Sequence, residues 1–339
     1  MIDNSISSPG KMGWGLPTQL ESQRYDAEKR LFNSVMEANQ DVFTPKAEPD
    51  YNEKRFKIVR DLMEADGIED GFSTNHVEAA VFGTYLDWLA QIIGSCVGSG
   101  GGRIWTQRVL TELFLLNEPE APFGKNITGP NNVCQFIPYS YRGGRRRGGL
   151  NGGDGSFCGV HLESFMKDGA LTCSAPGIET DAFPEPQSSR TYRQMGNSNN
   201  FMEQFRPIAE QYVMTESVKI TDADQGLEVM TKKFQPFMIC SMWAFEPAEK
   251  HPTWKLADGT PVYIYRRNRR TSWAHNMSIV AFLKVSGKWY VMVKNSWGMK
   301  AHRNGDWFVI PIEVYAEWCR SAEQGSIGNI VLPKNKPVL

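Results

Sequence analysis

The segment HNMSIVAFLKVSGKWYVMVKNSWG, which begins at His275, constrains the fold more than any other stretch of the chain. Two runs rich in Val, Ile, Phe, Tyr and Trp flank Ser286-Gly287-Lys288, the composition of two strands joined by a tight turn. A hairpin returns on itself, so His275 at the start of the first strand meets Asn295 at the end of the second. Their separation of twenty positions fits two strands of about eight residues and a turn. An imidazole within hydrogen-bond reach of a side-chain amide follows from this pattern alone.

The rest of the C-terminal half has the same character. YVMTESVKI, PFMICSMWAF, TPVYIYR and GDWFVIPI are further strand-like runs, with a helical pattern in ADQGLEVMTKKF after the first. The earlier part is helical instead. Ile104, Leu110, Leu113, Phe114 and Leu116 recur at helical spacing after GSC, and VHLESFMKDGAL forms a second helix closed by Gly169. Between them, residues 126–156 are Gly-rich and basic, and residues 174–205 have the Pro, Ser and Asn content of a long crossover. A helical part followed by an antiparallel β part predicts an α+β architecture with a cleft between two lobes. Residues 1–70 stand apart as an appendage, with an extended arm over about 1–18, a helix over Leu20–Ala38 and a second over Asn52–Ala65.

A histidine held by an amide becomes chemically significant beside a thiol. Cys96 opens the first long helix, where unpaired backbone N–H groups and the helix dipole favour the thiolate. Cys134, Cys173 and Cys319 have no comparable placement. The glycines of GSGGGR that follow cost about 1 kcal/mol each relative to Ala if helical. Two readings stand: close approach of substrate or of the facing lobe to the helix start, or a helix that begins later, near Arg103. The stretch has no Lys-Ser/Thr and does not follow a strand, so it is not a phosphate-binding loop.

GSC at a helix start, a His on one strand and KNSWG ending its partner, in the order Cys, His, Asn, resemble the papain-like cysteine peptidases. The resemblance spans residues 71–339, with a helical lobe over about 71–205 and a barrel-like antiparallel β lobe over about 206–339. It implies that Cys96 attacks an amide carbonyl, His275 moves protons, Asn295 orients the imidazole and Trp297 shields that bond. Three departures are visible. The family usually has CGSCW where this chain has IGSCV. Its oxyanion-hole glutamine lies six residues before the Cys, whereas here position 90 is Ala and Gln91 is the candidate. The span from Cys96 to His275 exceeds the roughly 130–150 residues expected of papain relatives, which insertions in the Gly/Arg-rich stretch and the crossover explain. These features point to a distant, non-secreted branch, with a phage-encoded protein as one setting.

The implied activity is hydrolysis of peptide or isopeptide bonds in a peptide or protein substrate, with no metal or organic cofactor. The alternative is a structural component of a virion or other assembly, tied in through the N-terminal arm and using the same fold with little catalysis. A net charge of −1 gives no global reason to expect nucleic acid or an anionic membrane as partner. The absence of a signal-like N-terminus or a span-length apolar stretch leads to the expectation of a cytoplasmic or virion-associated chain.

Cysteines at 96, 134, 158, 173, 240 and 319 show neither metal-ligand spacing nor a dense disulfide framework, so a mostly reduced chain is expected, with one bridge among Cys134, Cys158 and Cys173 left open. Cys158 and His161 in FCGVH are a rival Cys/His pair or two metal ligands, but they lack a third group. His76, His251 and His302 are assigned to the surface. The basic runs YRGGRRRGG and RRNRR are assigned to solvated loops, with Arg269 or Arg270 facing the cleft and favouring acidic groups as the sharper alternative.

Overall fold

The computed structural model describes residues 52–86, 91–116, 133–178 and 188–330. The predicted arm and the helix over Leu20–Ala38 lie outside the described residues.

Helix α1 (Glu53–Ala65) begins where Asn52 accepts from the backbone N–H of Arg55. It buries Val59 and Met63, and Phe56 packs against Phe72 and Phe234. Strand β1 (Asp70–Ser73) leads directly into α2 (Thr74–Phe82), with Ser73 as its cap. Helix α3 (Cys96–Thr111) is buried from Val97 to its end and runs on into a π turn over Glu112–Leu116. Against it pack α4 (Ile137–Arg147) and α5 (Cys158–Lys167), and α6 (Ser189–Asn197) and α7 (Asn199–Ala209) pack in turn on α4.

Two sequence expectations change here. The basic stretch at 141–149 is a helix for most of its length, not a loop, because Arg142 and Arg145 turn inward and find carbonyl partners. Much of the crossover is helical, since Ser188 and Ser198 each cap a helix through their hydroxyls.

Beyond α8 (Ala223–Lys233) comes the sheet: β2 (Phe237–Lys255), β3 (Pro261–Val285), β4 (Lys288–Lys294), β5 (Trp307–Pro311), helix α9 (Ile312–Cys319) and β6 (Glu323–Ser326). TPVYIYR and HNMSIVAFLKV prove to be the two ends of one long strand, β3, whose pairing with β2 shifts register between Ser241 and Ala244. The strand order is β4-β5-β3-β2-β6, with β1 added to β3. Pairing is antiparallel except for one parallel contact, Ile264 to Val309, where β3, β4 and β5 close on one another. YVMTESVKI runs as extended chain beside β6 without joining the sheet as a strand. The Ser326 hydroxyl takes the Val218 N–H where a ladder bond would form.

The β3–β4 turn has positive φ at both Ser286 (49°) and Gly287 (74°), the geometry of a two-residue hairpin turn. It sets the register Val285–Lys288 through Ser278–Lys294. Phe237, Phe282 and Tyr315 form an aromatic core between this sheet and α9. Cys158 at the start of α5 is joined by a disulfide to Cys240 on β2, so the bridge lies outside the expected Cys134, Cys158 and Cys173 set and ties the helices to the sheet. No described helix is long and apolar enough to cross a membrane.

Candidate active site

The first turns of α3 carry the glycines of GSGGGR inside the helix, and the contacts around them give the reason. A Cβ on Gly100 would lie 1.8 Å from Asn276 Oδ1, one on Gly101 2.6 Å from the His161 ring and one on Gly102 2.5 Å from Gln135 Oε1. Asn276 belongs to β3, so the facing half of the molecule approaches the helix to a distance only glycine permits. The Ser278 hydroxyl also donates to the Gly100 carbonyl (3.2 Å). Close approach is thus the correct reading of the motif, and the helix begins at Cys96. Cys96 is partly buried, and Ser95 at the cap position makes no side-chain capping bond.

His275 and Asn295 meet as the hairpin requires, with His275 Nε2 and Asn295 Oδ1 2.7 Å apart. The backbone N–H of Ser296, which can only donate, also points to Asn295 Oδ1 (2.7 Å). That contact fixes Oδ1 as the amide oxygen. His275 therefore carries its proton on Nε2, leaving Nδ1 as the basic nitrogen. Burial lowers the His275 pKa to about 4, against the opposing effect of the Asn295 bond. At neutral pH the ring is a neutral acceptor. Trp297 stacks on it with centroids 4.8 Å apart and is braced edge-on by Trp273.

The Asn295 backbone is pinned from both sides. Its N–H donates to the Asp306 carbonyl (2.8 Å), and its carbonyl accepts from Arg103 Nη1 (2.9 Å). Arg103 lies two turns after Cys96 on α3, so one guanidinium joins the thiol-bearing helix to the strand end that orients the imidazole. Its other nitrogen pairs with the Asp306 carboxylate (3.1 Å), which Lys294 also approaches (3.5 Å), while Glu78 lies 4.0 Å from Lys294 and accepts from Gln107. Burial pushes the Asp306 pKa up, but Lys294 and Arg103 outweigh it and hold the carboxyl below its usual range. Glu78 is shifted the other way, raised by burial.

Gln91 sits beside this group. Its backbone N–H donates to the Ser296 carbonyl (2.8 Å), and its side-chain oxygen accepts from the Ser296 hydroxyl. The amide nitrogen is left as the donor end, with one bond to the Ile93 carbonyl (3.1 Å) and a second N–H besides. Position 90 lies outside the described residues.

The rival pair does not assemble. Cys158 is consumed by the disulfide, and His161 is fully buried with no hydrogen-bond partner for either ring nitrogen among the described residues. Burial depresses its pKa to about 3. The surface assignments of three histidines also fail. His76 is buried against Asp66, His251 caps the backbone at Trp254, and His302 is drawn into the site, its Nε2 3.0 Å from Asn295 Nδ2. Sequence reasoning missed His302, Arg103 and Asp306. The available signals were proximity to Asn295 for His302 and Asp306, and helical phase from Cys96 for Arg103.

No family model matches the chain, and no curated protein matches it. Solved structures similar to it include xylellain, a cysteine protease from Xylella fastidiosa (13% identity, TM-score 0.49, 85% of this chain and 95% of that one). Procathepsin B S9 from Trypanosoma congolense is 11% identical with TM-score 0.48, over 93% of this chain and 98% of that one. The proform of the ragweed pollen cysteine protease Amb a 11 is 11% identical with TM-score 0.46, over 93% and 97% respectively.

Proposed function

We propose that the chain is a papain-like thiol hydrolase that cleaves peptide or isopeptide bonds through a thioester on Cys96. The observation that carries this reading is the 2.7 Å bond from His275 to Asn295, which fixes the tautomer a Cys–His pair requires. In the reaction, His275 Nδ1 accepts the Cys96 proton, and the sulfur adds to the carbonyl carbon. The carbonyl oxygen becomes an oxyanion, held by the Cys96 backbone N–H and the Gln91 amide. Collapse breaks the C–N bond as His275 returns the proton to the leaving amine. Water, deprotonated by His275, then hydrolyses the thioester and restores the thiol. Asn295 holds the imidazole throughout, and Trp297 keeps water from the His275–Asn295 bond.

A thiol-directed epoxide of the kind that inactivates papain-type enzymes, with the label mapped by mass spectrometry, tests this. Selective labelling of Cys96 that is lost in His275→Ala is the expected result. Labelling at the rate of a simple free thiol overturns the proposal and leaves the assembly-component reading in its place.

A further inference from the structure

We propose that His302 is a positioning residue of this site: as a neutral acceptor for Asn295 Nδ2 it locks the amide in the orientation His275 needs, and its protonation releases that lock. The inference rests on the hydrolase reading for its consequence in catalysis, but the contact itself does not.

A side-chain amide can turn over by exchanging its oxygen and nitrogen, and the turned form would present N–H donors to a ring nitrogen that must itself donate. Two contacts oppose that turn. The Ser296 N–H requires an acceptor at the Oδ1 position (2.7 Å). At the opposite end of the amide, His302 Nε2 lies 3.0 Å from Nδ2. With Oδ1 assigned by a backbone donor, Nδ2 donates, and His302 Nε2 must accept. His302 is therefore the Nδ1–H tautomer, and a proton added at Nε2 would set donor against donor. One amide thus reads the protonation state of two histidines, requiring a proton at the near nitrogen of His275 and none at that of His302.

The surroundings of His302 keep it neutral. Its ring lies against Tyr265 from β3 (5.5 Å), Phe308 from β5 (4.9 Å) and Trp297 (6.2 Å), and the Tyr265 hydroxyl is occupied by the Arg303 N–H. The acidic group facing it is Asp306, which favours the protonated ring, while His275 disfavours it. Asp306 is already engaged by Arg103 from α3 and Lys294 from β4, with Glu78 from α2 behind them. Burial decides the balance and lowers the His302 pKa to about 4.

The test uses the full-length chain with His302→Ala and His302→Gln. The rate of Cys96 alkylation by iodoacetamide is followed from pH 3.5 to 8, and the histidine tautomers are read by nitrogen-15 NMR. The Ala variant is expected to react about tenfold more slowly at pH 7, and the Gln variant, whose side-chain oxygen can accept from Nδ2, to recover most of that rate. As the pH falls from 6 to 3.5 the wild-type rate should fall more steeply than that of the Gln variant, because the wild type loses the His302 acceptor as well as the His275 base. An Ala variant equal to wild type in both rate and slope overturns the proposal. If wild-type Cys96 reacts only as a free thiol, the hydrolase reading falls, and NMR decides the contact alone. An Nδ1–H tautomer of His302 that is lost in Asn295→Ala supports it, and an Nε2–H tautomer overturns it.

Discussion

Two arginine runs, Arg142 to Arg147 and Arg266 to Arg270, look alike in the sequence and occupy opposite environments. In the first, Arg142 and Arg145 fall three apart on one face of α4 and are buried. Arg145 donates to the Gly152 and Gly155 carbonyls and to Asn197, and Arg142 to Leu150 and Asn199. Arg146 and Arg147 point the other way, to Glu203 and to Asp168 with Glu163. The second run lies on β3, where Arg266 pairs with Glu246, Arg267 lies over the Trp243 ring and, with Arg269, reaches Glu317. Glu246 and residues 266–270 line an open groove of about 460 Å³. The difference lies in two side chains: Arg142 and Arg145 of the first run are buried against carbonyl and amide oxygens, whereas the second run meets acidic side chains at the surface.

The largest effect is expected where that contrast is strongest. Arg145→Met removes a fully buried guanidinium and its charge-assisted hydrogen bonds to the Gly152 and Gly155 carbonyls and the Asn197 oxygen, so a loss of about 3 kcal/mol in urea unfolding is expected. A loss below about 1 kcal/mol would mean that the helical run is as dispensable as an exposed one.

Next comes acid. His161, packed between Gly101 of α3 and Gly144 of α4, is neutral in the folded chain down to about pH 3, whereas in the unfolded chain it titrates at its ordinary value near 6.5. The unfolded state binds the proton first, so the stability His161 contributes is fully present above pH 6.5 and is lost as the pH falls toward 3. At about 1.4 kcal/mol per pH unit per group, lowering the pH from 6.5 to 4 removes on the order of 3 kcal/mol through this residue. Urea midpoints of the chain and of His161→Gln across that range measure it. Equal pH slopes would show that His161 is not the group responsible.

The sequence made some of this legible and concealed the rest for physical reasons. The hairpin register was readable because strand length and a Ser-Gly turn fix it locally, and with it the His275–Asn295 pair. Helix α3 was readable from apolar spacing, but its start at Cys96 was obscured because glycine's poor helix propensity hides a packing requirement. Arg142, Arg145, Arg103 and Asp306 were not legible as buried groups, because a charge is buried only when a partner distant in sequence receives it. Residues more than a hundred positions apart, such as Arg103 and Asn295, meet only in the folded chain. His302, though close to Asn295 in sequence, was lost because the loop that folds it back onto the amide has no periodic pattern, and Cys158–Cys240 because one bridge among several cysteines has no local signature.

A smaller effect concerns the glycines of the helical run, which the exposed run lacks. Gly143 lies inside the helical run, where a Cβ would meet the Ser164 hydroxyl at 2.0 Å and the Asp168 carboxylate at 3.4 Å. The intrinsic preference of a helix for Ala over Gly, about 1 kcal/mol, favours the substitution, but overpacking of this kind costs about 1–3 kcal/mol. Gly143→Ala is therefore expected to destabilise by about 1 kcal/mol in urea unfolding. A stabilised variant would show that α4 and α5 separate easily and that the glycines are not there for close approach.

The smallest effect belongs to the exposed run. The Arg269 side chain is 75% exposed, and its contact with Glu317 at 3.5 Å is an open ion pair. Such pairs contribute little because water already solvates both partners and two long side chains must be held still to make them. Arg269→Ala should change unfolding stability by less than about 0.5 kcal/mol, and added salt should shrink even that difference. If the groove instead matters for substrate, the charge acts on an incoming anion and not on the fold. Arg269→Glu with Arg270→Glu would then leave urea unfolding near wild type while weakening cleavage of acidic peptides relative to neutral ones, most strongly at low salt. Unchanged preference and salt dependence in that double variant would assign the groove to solvent alone, and the two arginine runs would then differ in stability and in nothing else.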